Sequence, residues 1–588
     1  MNPNDQAELT RFRKAVEYSR RRLRPHRERR ISNVQQFLGS ATEGGTSNHT
    51  PLMTIEMGVA VYTHLLVGGN PRALVRTPHT QLRATAKDLG MALNHTVDEV
   101  HLEDTLLRLV QDALFSIGIC KIGLCNKDSD KAGGFWHDLW QPYVDRVDLD
   151  DWVHDTNATS WESVAYEGNR YRMPLWMAKE SEDFNKKARE ALTATLKTST
   201  NEDGDDKIED IQYDTHADID EYQDYVELWD FWLPEENLVL TMADQNDSIG
   251  ALRVEKWEGP ERGPYCKLSF TTVPNTTMPL PPVAVWRELH DLANHVYSKL
   301  GGQAKRQKSV LPVRGGDEGD IQAIKDSKDG DILRIDGEVT KEVSYGGPTQ
   351  INLAFLLSTM NFLNRQQGNT DTLGGLSTGA DTLGQEQLLA QQANERITFM
   401  RKRTVAFTSN IFDSLAFYLF DDPFVNIPMT KTSPGGHANI PINWSGEDIE
   451  DDYREFNISI QPYSMVYRSP TQMLQVMMQL LKEIILPLGP QMAQQGVTIN
   501  FEAMLKQIAE YADFPELNSF MVFTGQPGAY EHGPVGQPSG GGPTETTRNY
   551  NRTSSPGPSG QSQQNSVLSQ MLMGKPPQQG ETDGLSGF

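Results

Sequence analysis

Thr349-Gln-Ile-Asn-Leu-Ala-Phe-Leu-Leu-Ser-Thr-Met-Asn-Phe-Leu-Asn-Arg-Gln-Gln367 constrains the architecture more than any other segment of the chain. Thr349 is placed as an N-cap for a helix over 350–367. At 1.5 Å per residue that helix is roughly 27 Å long. Ile351, Leu353, Ala354, Phe355, Leu356, Leu357, Met360, Phe362 and Leu363 leave almost no polar side. A helix of this kind must be covered all round. Few other helical segments lie near it in sequence, so identical neighbouring subunits are the natural cover.

Upstream, residues 283–301 read as an amphipathic helix. Val285, Trp286, Leu289, Leu292, Ala293, Val296 and Leu300 lie on one face, with Arg287, Asp291, Asn294 and His295 on the other. Gly301-Gly302 is expected to end it. A basic stretch follows, then a compact segment over 309–345 of short strands, a small helix and Gly/Asp turns. Downstream, Gly368-Asn-Thr-Asp-Thr-Leu-Gly-Gly-Leu-Ser-Thr-Gly-Ala-Asp-Thr-Leu-Gly384 is too rich in Gly, Thr and Asp for an element interior. Thr382 and Gln385 have capping-box spacing, opening a long helix over 385–420 with Thr404 as a break in its apolar stripe.

The remaining texture is mixed. Residues 8–31 form a helix dense in Arg and Lys, which fits either an acidic partner such as nucleic acid or the chain's own acidic body. Helical patterns cover 52–67 and 80–116. Short strand patterns fill 117–175, 225–272 and 424–467, around an acidic, low-complexity stretch at 180–224. Ser469-Pro470 opens a helix to about 486, and a last helix spans 501–512. From 525 to 588 the composition is Gly/Pro/Ser/Gln/Asn, the signature of disorder. The fold class is therefore α+β.

The 588 residues carry 54 Lys and Arg against 79 Asp and Glu, a formal net charge of −25. No run reaches the roughly 18 apolar residues of a membrane span, and no apolar signal core follows the N-terminus. A soluble protein made in a cytoplasm is expected, with no membrane partner. Three cysteines, Cys120, Cys125 and Cys266, make no disulfide framework and read as buried thiols.

Chemical motifs are sparse. There is no Gly-x4-Gly-Lys-Ser/Thr, no His-Glu-x-x-His and no Cys-x-x-Cys. Gly375-Leu-Ser377-Thr-Gly379 spells a nucleophile elbow but lacks the preceding strand that chemistry needs. Asp148, Asp150 and Asp151, with Asp155, could ligate a divalent cation, though the interleaved Leu149, Trp152 and Val153 favour a strand edge. His290 and His295 are spaced wrongly for joint ligation and are expected in solvated or capping roles. No catalytic residue, metal site or cofactor is assigned. Lys299, Lys305, Arg306, Lys308 and Arg314 cluster between the two helices and suit phosphate contact.

The order of elements resembles the portal protein of tailed bacteriophages, the head-to-tail connector family. Asp151-Trp-Val-His-Asp-Thr-Asn-Ala-Thr-Ser160 is similar to the acidic, aromatic texture of portal wings. Leu373-Gly-Gly-Leu-Ser-Thr-Gly-Ala-Asp-Thr-Leu-Gly-Gln-Glu-Gln387, with Gln391-Gln-Ala-Asn-Glu-Arg396, is similar to the passage from tunnel loop to long wing helix. The resemblance spans about 50–515 and rests on element order more than on tight motifs.

It implies a mixed α/β wing over 1–282, including the basic arm, and again over 385–467. It implies stem helices at 283–301 and 349–367, a small α/β clip at 302–348, a tunnel loop at 368–384, an α-helical crown at 468–524 and a tail at 525–588. Asn369, Thr370, Thr372, Leu373, Leu376, Ser377 and Thr378 would face the channel. Trp286, Leu289, Phe355, Met360 and Phe362 would pack stems of neighbouring subunits.

The family forms a dodecameric ring at one capsid vertex. Double-stranded DNA passes through it without sequence preference in packaging and ejection. Its implied partners are the terminase large subunit, the head–tail adaptor, and the major capsid and scaffolding proteins. Its place is the virion, after assembly in the host cytoplasm. At −25 per chain a dodecamer carries roughly −300, which disfavours lasting adhesion to phosphates. Two other readings stand beside this one: a divalent-metal nuclease using Asp148, Asp150 and Asp151, and another virion ring component such as an adaptor or neck protein.

Overall fold

Leu9, Val16 and Leu23 recur every seventh residue, and that apolar stripe makes α1, Gln6–Leu38, lie along a sheet. The computed structural model describes residues 6–39, 52–125, 131–132, 135–136, 141–195, 223–244, 249–310, 313–314, 338–339, 343–345, 347–368, 383–422, 425–432, 439–445 and 453–461, with a few isolated positions besides. By internal contact the chain divides into Met1–Phe520 and Met521–Phe588, and all the described residues belong to the first unit. The helices expected at 470–486 and 501–512 and the tail lie outside the described residues, apart from isolated positions.

After α1 come α2 (Thr54–Leu66), β1 (Ala73–Arg76), α3 (Arg83–Glu99) and α4 (Leu102–Phe115). The pattern over 80–116 is thus two helices. They break at His101, whose φ of 49° lies in the left-handed region and turns the chain. Next are β2 (Gly118–Leu124), β3 (Lys131–Ala132), β4 (Phe135–Trp136), β5 (Pro142–Val147), β6 (Trp152–His154) and β7 (Glu167–Pro174). The short helices α5 (Leu175–Glu180) and α6 (Lys186–Glu190) lead to β8 (Tyr225–Leu233), β9 (Leu238–Ala243), β10 (Arg253–Lys256) and β11 (Tyr265–Leu268).

An antiparallel five-stranded sheet has the order β10-β9-β8-β7-β6, and a three-stranded one the order β11-β2-β5. The apolar side of α1 closes over them: Phe12 meets Tyr166 and Phe231 edge-on, with centroids 5.2 and 5.0 Å apart. Cys120 and Cys266 are direct cross-strand partners, and all three cysteines are buried.

The second half begins with α7 (Pro282–Lys305) and the strands β12 (Lys308–Val310), β13 (Val313–Arg314), β14 (Glu338–Val339) and β15 (Val343–Tyr345). Then follow α8 (Gln350–Gln366), α9 (Leu383–Asp421), β16 (Asn426–Thr432), β17 (Asn439–Ser445) and β18 (Asn457–Ile460). β12 pairs with β15 and β13 with β14, both antiparallel, so the described strands between α7 and α8 form a nested pair of ladders. β16 pairs with β17, and β18 returns to pair with β1.

The largest core joins α2, α3, α4 and α9 with the base of α7. Thr404 does not interrupt the α9 stripe. It is fully buried, and its hydroxyl donates to the Met400 carbonyl at 3.1 Å, satisfying itself inside the helix.

Gly301-Gly302 likewise does not end α7, which continues to Lys305. Two internal glycines cost about 1 kcal/mol each. Beyond them Gly347 N–H donates to Gln303 O at 3.3 Å, and Thr349 N–H to Gln303 Oε1 at 3.2 Å, tying the ends of the helix pair together. Thr349 stands at the N-cap of α8 as expected, but its side chain caps nothing there and turns to Gln303 instead.

Candidate functional site

The carboxylates at 148–151 sit on a short 3-10 turn, Leu149–Asp151, whose N-cap is Asp148. Asp148 Oδ1 accepts from Asp150 N at 3.0 Å. From the other side, both terminal nitrogens of Arg30 meet the two oxygens of Asp148, and Arg146 bridges Asp148 and Asp112. Arg170 forks onto Asp151 at 2.7 and 2.9 Å. Arg27, buried, donates to the carbonyls of Leu149 and Trp152.

Burial would raise the Asp148 pKa, but Arg30 and Arg146 reverse that and hold the carboxyl well below its usual range. Burial, and then the charge of Asp148, push Asp150 up. A cation here would have to displace guanidinium groups already in place. Among the described residues no cluster of His, Cys, Asp or Glu is arranged to hold a metal ion.

The basic arm is accordingly divided. Arg13, Arg20, Arg27 and Arg30 turn inward, to the Ile249 carbonyl, Asp244, the β6 turn and Asp148. Arg11 and Lys14 remain exposed, and Arg21 and Arg24 pair with Glu17 and Glu28 along the helix. The own-body reading holds for the inward residues.

The helix pair α7–α8 presents the larger anomaly. α8 buries only a narrow stripe, Leu356, Thr359 and Leu363, against its own chain. Apart from the half-buried Met360, its other large apolar residues face outward, from 46% exposed at Leu353 to 78% at Ile351, with Phe355, Phe362 and Leu357 between.

Their arrangement follows from roughly 100° of rotation per residue. Ile351, Phe355 and Phe362 fall on one side of the buried stripe, and Leu353, Leu357 and Met360 on the other. Between these flanks, on the side opposite the buried stripe, runs an exposed strip of Ala354, Ser358, Asn361 and Arg365. Val285 and Leu292 add an exposed apolar edge on α7.

The base of the pair is fixed within the chain. Trp286 is fully buried and stacks on Tyr62, with centroids 5.6 Å apart at 25°. Tyr62 donates its hydroxyl to the Gln367 carbonyl at 2.5 Å, and Gln367 Nε2 donates to the Thr54 carbonyl at 3.2 Å.

These contacts correct the expected packing set. Trp286 is spent on α2 and cannot serve a neighbour, and Leu289 packs partly against the same core. Met360 is half-buried beside the small Ala293–Leu300–Leu356 cluster. Phe355 and Phe362 are the members left open. Helical periodicity marks a residue as apolar without saying which chain covers it. The exposed Ile351, Leu353 and Leu357 were legible only in the all-round greasiness of the segment.

His290 and Asn294 also depart from expectation, since both are buried. His290 Nε2–H donates to the Leu52 carbonyl at 2.7 Å, and Asn294 Oδ1 accepts from Leu52 N at 2.7 Å, so they clamp the chain just before α2. Burial pushes the His290 pKa down and keeps it a neutral donor. His295 is exposed beside Asp291.

Of the basic cluster, Lys299 and Lys305 lie exposed on α7 and Arg306 is its C-cap. Lys308 and Arg314 fall on β12 and β13, with side chains outside the described set. The loop positions Asn369, Thr370, Thr372, Leu373, Leu376, Ser377 and Thr378 lie outside the described residues, while the last two residues assigned to that loop, Leu383 and Gly384, already belong to α9. Among the described residues no helix is long and apolar enough to cross a membrane. Compared with protein-family models and with curated proteins, the chain matches none.

Proposed function

We propose that this chain is a portal subunit of a tailed bacteriophage. Twelve copies would close into a ring at one capsid vertex, forming the channel for genome packaging and ejection. α7 and α8 would be its stem, the nested ladders its clip, and α9 with the N-terminal sheets its wing. The clip would receive the terminase large subunit and later the head–tail adaptor. The wing and the region after β18 would meet the major capsid and scaffolding proteins. The basic residues at the end of α7 would supply weak, sequence-blind contact with DNA.

The observation that carries this reading is the pair of apolar flanks on α8. A two-fold dimer uses one self-complementary patch, whereas a head-to-tail ring needs two different patches on each subunit. Each large side chain covered by a neighbour contributes about 2 kcal/mol, so five per subunit make a substantial drive to assemble. The strip between the flanks is small and polar, which suits a wall facing water. Against the nuclease reading, Asp148 and Asp151 are held by arginines.

Native mass spectrometry and electron microscopy of the purified chain test the reading. A closed ring with a narrow stem and a wide wing is expected. A chain that stays monomeric at every concentration and salt would refute it.

A further inference from the structure

α1 sorts its positive charges by side. Arg27 and Arg30 lie on its buried face, with Arg13 and Arg20 at the margin, and all four are bound to groups of the chain's own body. At roughly 100° per residue, Arg11, Lys14, Tyr18, Arg22 and Arg29 fall within about 80° of one another on the opposite side. From Arg11 to Arg29 this stripe runs about 27 Å along the helix. Arg11, Lys14 and Arg22 are exposed and Arg29 is half-buried. No ion pair among the described residues engages any of these four. The acids of the helix, Glu8, Glu17 and Glu28, stand outside the stripe, and the last two are matched by Arg21 and Arg24.

In a chain of net charge −25 this line of unanswered cations is a local reversal of sign. A protein partner is held by a desolvated apolar centre, which this face lacks. Beside the cations it shows Ala15, Pro25 and one ring, Tyr18, half exposed with the Arg22 guanidinium 5.8 Å from its centroid. A phosphate backbone needs no apolar centre. It is itself a line of charge, and cations set along a rigid rod suit it.

We propose that the outward face of α1 binds the phosphate backbone of a nucleic-acid duplex through Arg11, Lys14, Arg22 and Arg29. Tyr18 and the Asn157 carbonyl, 3.2 Å from Arg22 Nη1, steady the Arg22 guanidinium, and its remaining N–H groups donate to phosphate oxygens. The site is separate from the basic residues at the end of α7, and it requires neither the ring nor its channel.

The test uses the full chain and a fluorescein-labelled 24-base-pair DNA duplex, followed by fluorescence anisotropy from about 50 to 200 mM salt. Saturable binding is expected, with log affinity falling against log salt at a slope of about −3 to −4, since each phosphate contact contributes about −0.9. Arg11→Gln/Lys14→Gln/Arg22→Gln/Arg29→Gln, with an unchanged melting temperature, should weaken binding by more than about tenfold at the lowest salt and flatten the slope by about 3. Arg11→Lys/Arg22→Lys/Arg29→Lys, which keeps the charges, should keep the slope. Absence of saturable binding at the lowest salt up to about 100 μM chain overturns the proposal. So does an unchanged slope in the glutamine variant. Polyglutamate that displaces the duplex at equal charge concentration also overturns it, because the face then takes an acidic protein. If Lys299→Gln/Lys305→Gln/Arg306→Gln flattens the slope and the α1 variant does not, the duplex is met at the end of α7 alone. The α1 site then fails while the channel reading stands.

Discussion

Arg30, near the end of the N-terminal helix, clasps Asp148 with both terminal nitrogens across 118 residues of sequence. The guanidinium is almost fully buried and the carboxylate three-quarters so. Replacing Arg30 with Met leaves a buried anion with Arg146 as its one remaining cation among the described residues. A loss of about 2–4 kcal/mol is expected, measured by urea unfolding. Asp148→Asn in the same background should restore part of that loss, because the stranded charge is then gone.

Phe355 and Trp286 separate assembly from folding. Phe355 is half exposed and Trp286 fully buried within one chain. Phe355→Asp should leave the monomer's circular dichroism and melting unchanged while abolishing the ring, since it sets a charge in an apolar contact. Trp286→Ala should instead destabilise the subunit itself by roughly 3–5 kcal/mol. If rings of Phe355→Asp form normally by native mass spectrometry, that flank is not an interface.

His154 makes stability depend on pH. It is fully buried, accepts from Trp152 Nε1 at 3.1 Å, and donates through Nε2 to Thr277 Oγ1 at 2.7 Å. Burial first, then the charges of Lys267, His26 and Arg27, push its pKa down to about 3. The unfolded chain takes up this proton near 6.5, the ordinary histidine value, and the folded chain does not, so stability falls as pH drops from 6.5 toward 3. His26 and His290, also lowered by burial, add to the same slope. Chemical denaturation between pH 7 and pH 4.5 should show a shallower decline in His154→Gln than in the parent.

Gly118 opens β2 where α4 ends. A Cβ there would sit 2.3 Å from the Leu109 carbonyl oxygen, a backbone atom that cannot move aside alone. Gly118→Ala should cost about 2–3 kcal/mol, read as a lowered melting midpoint with an unchanged fold by circular dichroism.

Deleting 370–381 bears on the channel reading alone. Rings of the deleted chain should form in normal yield while particles built with them hold less DNA, measured by gel quantitation of packaged genome. Normal packaging would remove the loop assignment.

Much of the framework was legible in the chain before folding. α8 and α9 begin and end within two residues of the expected bounds, because long periodic stretches carry their own signal. Where strand patterns were expected over 225–272, four strands form. What stayed hidden was mostly pairing at a distance. No local pattern shows that Arg30 meets Asp148, or that His290 and Asn294 grip Leu52. Composition marked the basic arm, yet only the fold shows which of its arginines turn inward.

Tyr62 holds both members of the helix pair at one end, the indole of Trp286 by stacking and the Gln367 carbonyl by a hydrogen bond. The nested ladders sit at the opposite end, about 29 Å from Trp286 along α7. The pair is thus a long arm anchored at one end by several contacts, Tyr62 with Trp286 and Gln367, Thr54 with Gln367, and Leu52 with His290 and Asn294. A load at its tip would be shared among α1, α2 and α4, which all touch α7.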